Sequence, residues 1–483
     1  MNETKVVRVG LLPEAAVGQA SRFRDELYAC LTGRGDELLE LADAVLCAPP
    51  GAVRSAVVLT LLPEHRRGHG AMYDGLNQGR IDTDRLRSSL AGLSLPRFAA
   101  PLPGRAPGPG RRCVAVAAVG RAVLAGPTFC HVYGRAKTAS QFIPGWPYSF
   151  VAVLEMGATS WTQILDTVRL GPADDATAVT AAQLRGVVER LVAAGQWAPG
   201  ESDIVIVADA GYGVTRLAWV LRDLPVELVG RVRGDRVMRP RVYDPKGGRP
   251  PRHGPDFRFT RPETWPEPAV TTRTATANYG KATAQAWDWV PPRLPHRAAW
   301  LDHEGELPLV EGTLIRLEVE HLSKDRAAPA VWLWSSKTGT DDADVNRAWQ
   351  AFLRRFDLEP TSACSSRRWA GRAPAARTGS GRPVDVADHR RLHPAQTRPP
   401  DHSRSATPVG EADAPHRLTP ARVRRTFRNL RQHMPCPARA PKPHRPGPGR
   451  PPGTLNKHRA PRYDVGKTVR REKTVTALQR LED

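Results

Sequence analysis

Apolar positions recur at helical spacing near the start of the chain: Phe23, Leu27 and Leu31 share one face, and Leu38, Leu39, Ala42 and Leu46 share the next. The pattern predicts helices from about Ser21 to Arg97, broken by APPG at 48–51. The run AVRSAVVLTLL and the basic stretch EHRRGHG at 64–70 follow, so residues 1–98 read as a small helical domain with a basic edge.

From Thr128 to Glu359 the periodicity becomes that of an α/β unit. YSFVAVLEM is strand-like, 175–195 is an amphipathic helix, and DIVIVADAGYG at 203–213 is a buried strand running into a tight turn. TRLAWVLRDL then predicts a helix and VELVGRVRG another strand, a rhythm that implies a sheet with helical crossovers. Residues 235–339 are rich in Pro, Trp and Thr, with short alternating stretches such as GTLIRLEVEHL and AVWLWSS; they predict a β-rich insertion outside the main sheet. A helix follows from about Ala343 to Leu358.

Residues 360–416 have neither period nor core and read as disordered. Helical order returns at LTPARVRRTFRNLRQHM, where Thr419 caps a helix with Pro420 at its first position. Val423, Phe427 and Leu430 lie on one side of that helix and five arginines elsewhere, and a Pro-, Gly- and Arg-rich tail completes 417–483.

Charge sharpens the picture: 71 Lys and Arg against 49 acidic residues give +22, which calls for a polyanionic partner. Nucleic acid is the first candidate, an acidic membrane surface its rival. The basic edge at 64–70 and the helix at 420–432 suit DNA contact, although a solvated helical lid and a flexible basic tail explain them as well. GRP within GPGRPPG is similar to minor-groove AT-hook elements. No apolar run is long enough to span a bilayer and the start lacks a signal-peptide core, which predicts a cytoplasmic protein with no membrane partner. Six cysteines without a CxxC pair argue against a zinc ribbon or disulfide framework, and 14 histidines include no HExxH. Isolated histidines such as His131 fit core or surface roles.

Two carboxylates stand out. Asp209 ends the apolar strand VIVAD, where α/β sheets place ligand-binding groups, though a turn-forming Asp fits the same place. Glu359 lies four residues after Arg355, a spacing that an ordinary helical ion pair explains.

Together with LTLLPEHRRGHG, FCHVYGRAK, QFIPGWPYSFVAVLE, VRLGPADDATAVTAAQLR, IVIVADAGYG and AWQAFLRRFDLE, these residues give the chain a resemblance, over most of its length, to insertion-sequence transposases with a DDE-superfamily endonuclease domain. The resemblance implies a ribonuclease-H-like mixed sheet with helices and a β-rich insertion, spanning 128–359. It also implies catalytic and metal-binding roles for Asp209 and Glu359, and a signature Tyr-x2-Arg-x3-Glu-x6-Lys falling on Phe352, Arg355 and Glu359. The implied cofactor is a pair of Mg2+ ions, because hard cations flanking a scissile phosphate stabilise both attacking and leaving oxygens. The implied partners are terminal inverted repeats and target DNA, with a homodimer acting on two DNA ends in a nucleoid-associated setting.

Two departures interrupt the resemblance. The family's first Asp belongs in a strand like AVDVSPWLR before FCHVYGR, but no acidic residue occurs from Arg85 to Leu154. The Lys expected seven positions after Glu359 is Ser366. Codons for 107–121 read one nucleotide later can spell LVLAVDVSPWLRSD, and those for 361–371 read two nucleotides later can spell FRLLKQTLGW. Residues 99–127 and 360–416 are therefore expected to be aberrant, frameshifted segments of an impaired enzyme. A non-catalytic DNA-binding relic is the alternative, and the β-rich insertion disfavours a ribonuclease-H-like nuclease unrelated to transposition.

Overall fold

The computed structural model describes residues 14–48, 56–95, 116–133, 140–154, 162–171, 174–209, 211–234, 236–239, 255–276, 279–291, 308–321, 329–355 and 427–442. The chain divides into a unit spanning Met1–Arg439 and a second, Ala440–Asp483.

The N-terminal part is helical, as its periodicity predicts: α1 (Glu14–Ala29), α2 (Gly35–Cys47), α3 (Ala56–Leu59), α4 (His69–Gln78) and α5 (Thr83–Gly92), with β1 (Leu31–Gly33) pairing β2 (Arg80–Ile81) between them. The face that α2 buries only partly matches the expected one: Leu39 is buried as expected, and Leu38 and Ala42 are half-buried. Leu41 and Ala44 pack with Leu59 and Met72, whereas Leu46 is exposed and the carboxylates Glu40 and Asp43 are buried. Helical spacing alone favoured the leucines; arginines from distant parts of the chain neutralise the two acids and let them turn inward.

The central sheet is built from β3 (Val116–Tyr133), β4 (Ser140–Leu154), β5 (Thr162–Arg169), β6 (Ile204–Ala208) and β7 (Val226–Arg231). β3, β4 and β5 form an antiparallel meander, while β6 lies parallel to both β3 and β7, giving the order β5-β4-β3-β6-β7 of a ribonuclease-H-like sheet. Helices α6 (Ala176–Ala193) and α7 (Val214–Val220) supply the crossovers. Part of the stretch expected to be aberrant, 116–127, lies within β3, which pairs with β6 at Ala117 and Ala118.

Two short strands, β8 (Val237–Met238) and β9 (Phe257–Arg258), pair with each other. Four more, β10 (Val270–Thr276), β11 (Gly280–Trp287), β12 (Thr313–Val319) and β13 (Val331–Ser335), form an antiparallel run. The sequence placed the β-rich insertion outside the main sheet; instead β13 pairs with β7 through Leu333–Arg231, Trp334–Gly230 and Ser335–Val229, making one nine-stranded sheet. The physical reason is two-sided burial. Trp332 and Trp334 join the core on one face and Leu333 the core on the other, as in an interior strand, and the pairing satisfies the backbone groups that β7 would otherwise leave open. Phe257, Phe259, Trp265 and Trp287 cluster around Trp332, with the Phe259 ring stacked 4.2 Å from it.

A further helix, α8 (Asp342–Arg354), matches the expected one as far as the structure describes it, and 356–359 lie outside the described residues. Asp341 caps it in a reciprocal capping box with Asp344. The sheet is thus covered on both faces, by α5, α6 and α7 on one and α8 on the other. Strand alternation assigns the faces: Ile204, Ile206 and Ala208 point to the first core, Val205 and Val207 to the second.

Candidate active site

β6 is buried at every position, from Ile204 to Ala208, and Asp209 is the first residue beyond it. By the same alternation Asp209 follows Val205 and Val207 to the α8 side. Its carbonyl accepts a hydrogen bond from the Tyr212 amide at 3.0 Å, closing a tight turn, and Gly213 begins α7. The Asp209 side chain is 43% exposed, so the strand end presents a carboxylate to solvent.

Three supports hold that turn. Tyr212 is buried against the core. Gly230 on β7 lets α7 lie close, for a Cβ there would come within 2.8 Å of the Val214 side chain. Arg216 of α7 donates to Asp175 at 2.7 Å, and Asp175 also accepts from the Thr177 and Ala178 amides as the cap of α6. Burial pushes the Asp175 carboxyl up, but Arg216 and the two amides outweigh it and hold it below the usual carboxylate range. Asp175 lies within a family-like segment, yet sequence reasoning assigned it no task.

α8 approaches from the other side. Val345, Ala348, Trp349 and Phe352 recur at helical spacing and bury against the second core face. Buried Glu227 of β7 accepts from Ser335 at 2.9 Å and from Arg347 at 2.6 Å, and Asn346 accepts from Thr272 at 3.0 Å, fixing the helix to both halves of the sheet. The next turn delivers Arg355, which lies 3.6 Å from the Asp209 carboxylate and 5.4 Å over the Phe352 ring. The structure therefore brings Asp209 and Arg355 together. Glu359, the third expected site residue, lies outside the described residues.

The place expected for the family's first Asp, 112–113, lies outside the described residues; β3 begins just after it. Its backbone at Ala117 and Ala118 runs beside Ile206 and Val207, and continuing that register sets Gly120 level with Asp209. The strand supplies no carboxylate, since 116–133 contains no acidic residue. Among the described residues no three His, Cys, Asp or Glu side chains gather as a metal site, and the cationic neighbour of Asp209 is Arg355. The described residues do not fit a pair of divalent cations.

A five-stranded core of this order, with β6 parallel to both of its neighbours and helices on both faces, is ribonuclease-H-like. Residues 26–290 match the family model described as DDE superfamily endonuclease, more than half of the chain, and the chain belongs to that family. The match begins inside α1, ends just past β11, and does not reach Glu359. No curated protein matches the chain. Membership gives the chain a nuclease- or transposase-type fold whose substrate is DNA, in a family that typically uses divalent metal ions. No helix among the described residues is long and apolar enough to cross a membrane.

Proposed function

We propose that this chain is a DNA transposase of the DDE class, built for cleavage and strand transfer at insertion-sequence ends, and that its catalysis is impaired in the sequence as it stands. One observation carries the reading: the strand beside Asp209 bears no acidic residue, so the carboxylate set that two Mg2+ ions require is incomplete. Asp209 and Glu359 are the remaining candidate ligands, with Arg355 positioning Asp209 through their ion pair. Two changes of reading frame, within the codons for 99–127 and after Glu359, account for both departures from the family pattern. Sequencing the gene and comparing all three frames there tests this directly; frames that restore neither the Asp nor the Lys would end it.

The retained activity is DNA binding, driven by the +22 charge, at terminal repeats or on DNA generally. The purified full chain, incubated with Mg2+ and supercoiled plasmid carrying candidate terminal repeats, is expected to retard the DNA without nicking it. Mg2+-dependent nicking above background would overturn the impairment, and absence of any DNA binding would overturn the transposase reading itself.

A further inference from the structure

Arginines of the basic motif at 64–70 and of the segment near 430 bond across the N-terminal helices. Residues 427–432 form a helical turn whose Arg428 donates Nε to Glu64 at 3.0 Å and Nη2 to the other oxygen of Glu64 at 3.3 Å. Arg431 donates Nε to Asp43 at 2.8 Å and Nη1 to the Met434 carbonyl at 3.1 Å. Arg24 shares Asp43 with Arg431, reaching it at 2.6 Å, and donates to the Pro435 carbonyl at 2.7 Å. Arg66, held by Glu40, donates to the carbonyls of Ala438 and Arg439 at 3.0 and 3.2 Å. Arg67, held by Glu40 and Asp36, donates to Arg439 at 2.9 Å, and the Arg439 amide returns a bond to Asp36 at 3.0 Å. Met434 and Ala438 are buried in the contact.

We propose that the acidic face of the N-terminal helices is a docking site for an arginine-bearing segment, and that residues 427–439 of the same chain occupy it as a clasp. The acids face inward: Asp43 and Glu40 side chains are 3% and 0% exposed, so they require cationic partners whatever DNA does. The site selects arginine over lysine, because the Arg431 guanidinium spans the Asp43 carboxylate and the Met434 carbonyl in different directions and Arg428 meets both oxygens of Glu64, which one ammonium cannot reproduce. Two consequences follow. Arg431 is largely withdrawn from phosphate contact, and Arg428 is engaged by Glu64. A product ending before residue 427 leaves Asp43 and Glu64 without their C-terminal partners, so the reading frame must be correct at 427–439 for the N-terminal helices to be complete.

Hydrogen exchange on the full chain, read by mass spectrometry over 427–439, tests the clasp. In the unaltered protein this segment exchanges at least about tenfold more slowly than a free chain. Arg428→Glu and Glu64→Arg each abolish that protection, the double reversal restores most of it, and Arg431→Lys loses it despite keeping the charge. Free-chain exchange in the unaltered protein, or no recovery in the double variant, would sink the proposal. A dimer that dissociates when 427–439 is deleted would overturn the intrachain assignment in favour of exchange between copies. A second readout rests on the DNA-binding reading above: Arg428→Gln with Arg431→Gln leaves the salt dependence of DNA affinity unchanged, and a shallower slope would place these arginines on phosphate.

Discussion

Asp43 shows how one residue can govern a unit made of distant pieces. It receives Arg24 from α1 and Arg431 from the C-terminal segment, at 2.6 and 2.8 Å, on the same oxygen. Replacing it by alanine strands two largely buried guanidinium groups, and the expected loss is about 3–5 kcal/mol in urea unfolding, the range for breaking a buried pair. A loss below about 1 kcal/mol would mean that water reaches the site. Acidification probes the neighbouring carboxylates. Burial raises both Asp36 and Glu64, but Tyr28, the Arg439 amide and Arg67 outweigh it at Asp36, and Arg428 foremost at Glu64, leaving both below the usual carboxylate range. Cys47 also bonds Glu64, and its own thiol is pushed up to about 12 by burial first and Glu64 next. Carboxyls lowered in the folded state contribute stability that is full above their unfolded values of about 4 and is lost as pH falls through the folded values. Unfolding followed at pH 7, 5 and 3 should therefore show the loss between 5 and 3; a flat profile there would contradict these pairings.

At the scale of elements, the seat of α7 depends on a missing side chain. Gly230→Ala puts a methyl group within 2.8 Å of Val214 at the start of α7, the helix that follows the Asp209 turn. Overpacking of this kind costs about 1–3 kcal/mol. The variant is expected to unfold earlier and to exchange faster at 211–220, whereas unchanged exchange there would show that α7 has room to shift. α5 illustrates the opposite case, an element fastened by charge as well as packing. Arg87 and Arg190 reach buried Asp166 from two helices, each at 2.8 Å, while Ala91 and Leu95 enter the same core as β6. The N-terminal helices, read from sequence as a domain at 1–98, are thus joined to the sheet through α5.

For the molecule as a whole, charge and fold point the same way, yet the interior uses many of the cations that the sequence offers. Arg24, Arg66, Arg67, Arg87, Arg190, Arg216, Arg428 and Arg431 all pair with carboxylates. DNA affinity should still fall linearly with the logarithm of salt concentration, since each phosphate contact releases counterions. Fluorescence anisotropy with duplex DNA between about 50 and 200 mM salt is expected to show a loss of roughly 10³ or more if six or more phosphates are contacted. Affinity independent of salt would exclude the electrostatic mode.

Much of this protein was legible in the chain. The unbroken apolar run before Asp209 marked a strand buried on both faces, the 3.6-residue period marked α6 and α8, and the absence of acids from Arg85 to Leu154 foretold a strand beside Asp209 without a carboxylate. These features are local, so neighbouring residues suffice to encode them. The nine-stranded sheet, the meeting of Arg355 with Asp209 and the clasp of Arg431 on Asp43 were decided only by the tertiary structure. Each pairs groups far apart in sequence, and a charge or a strand edge chooses its partner by what folding brings within reach and removes from water.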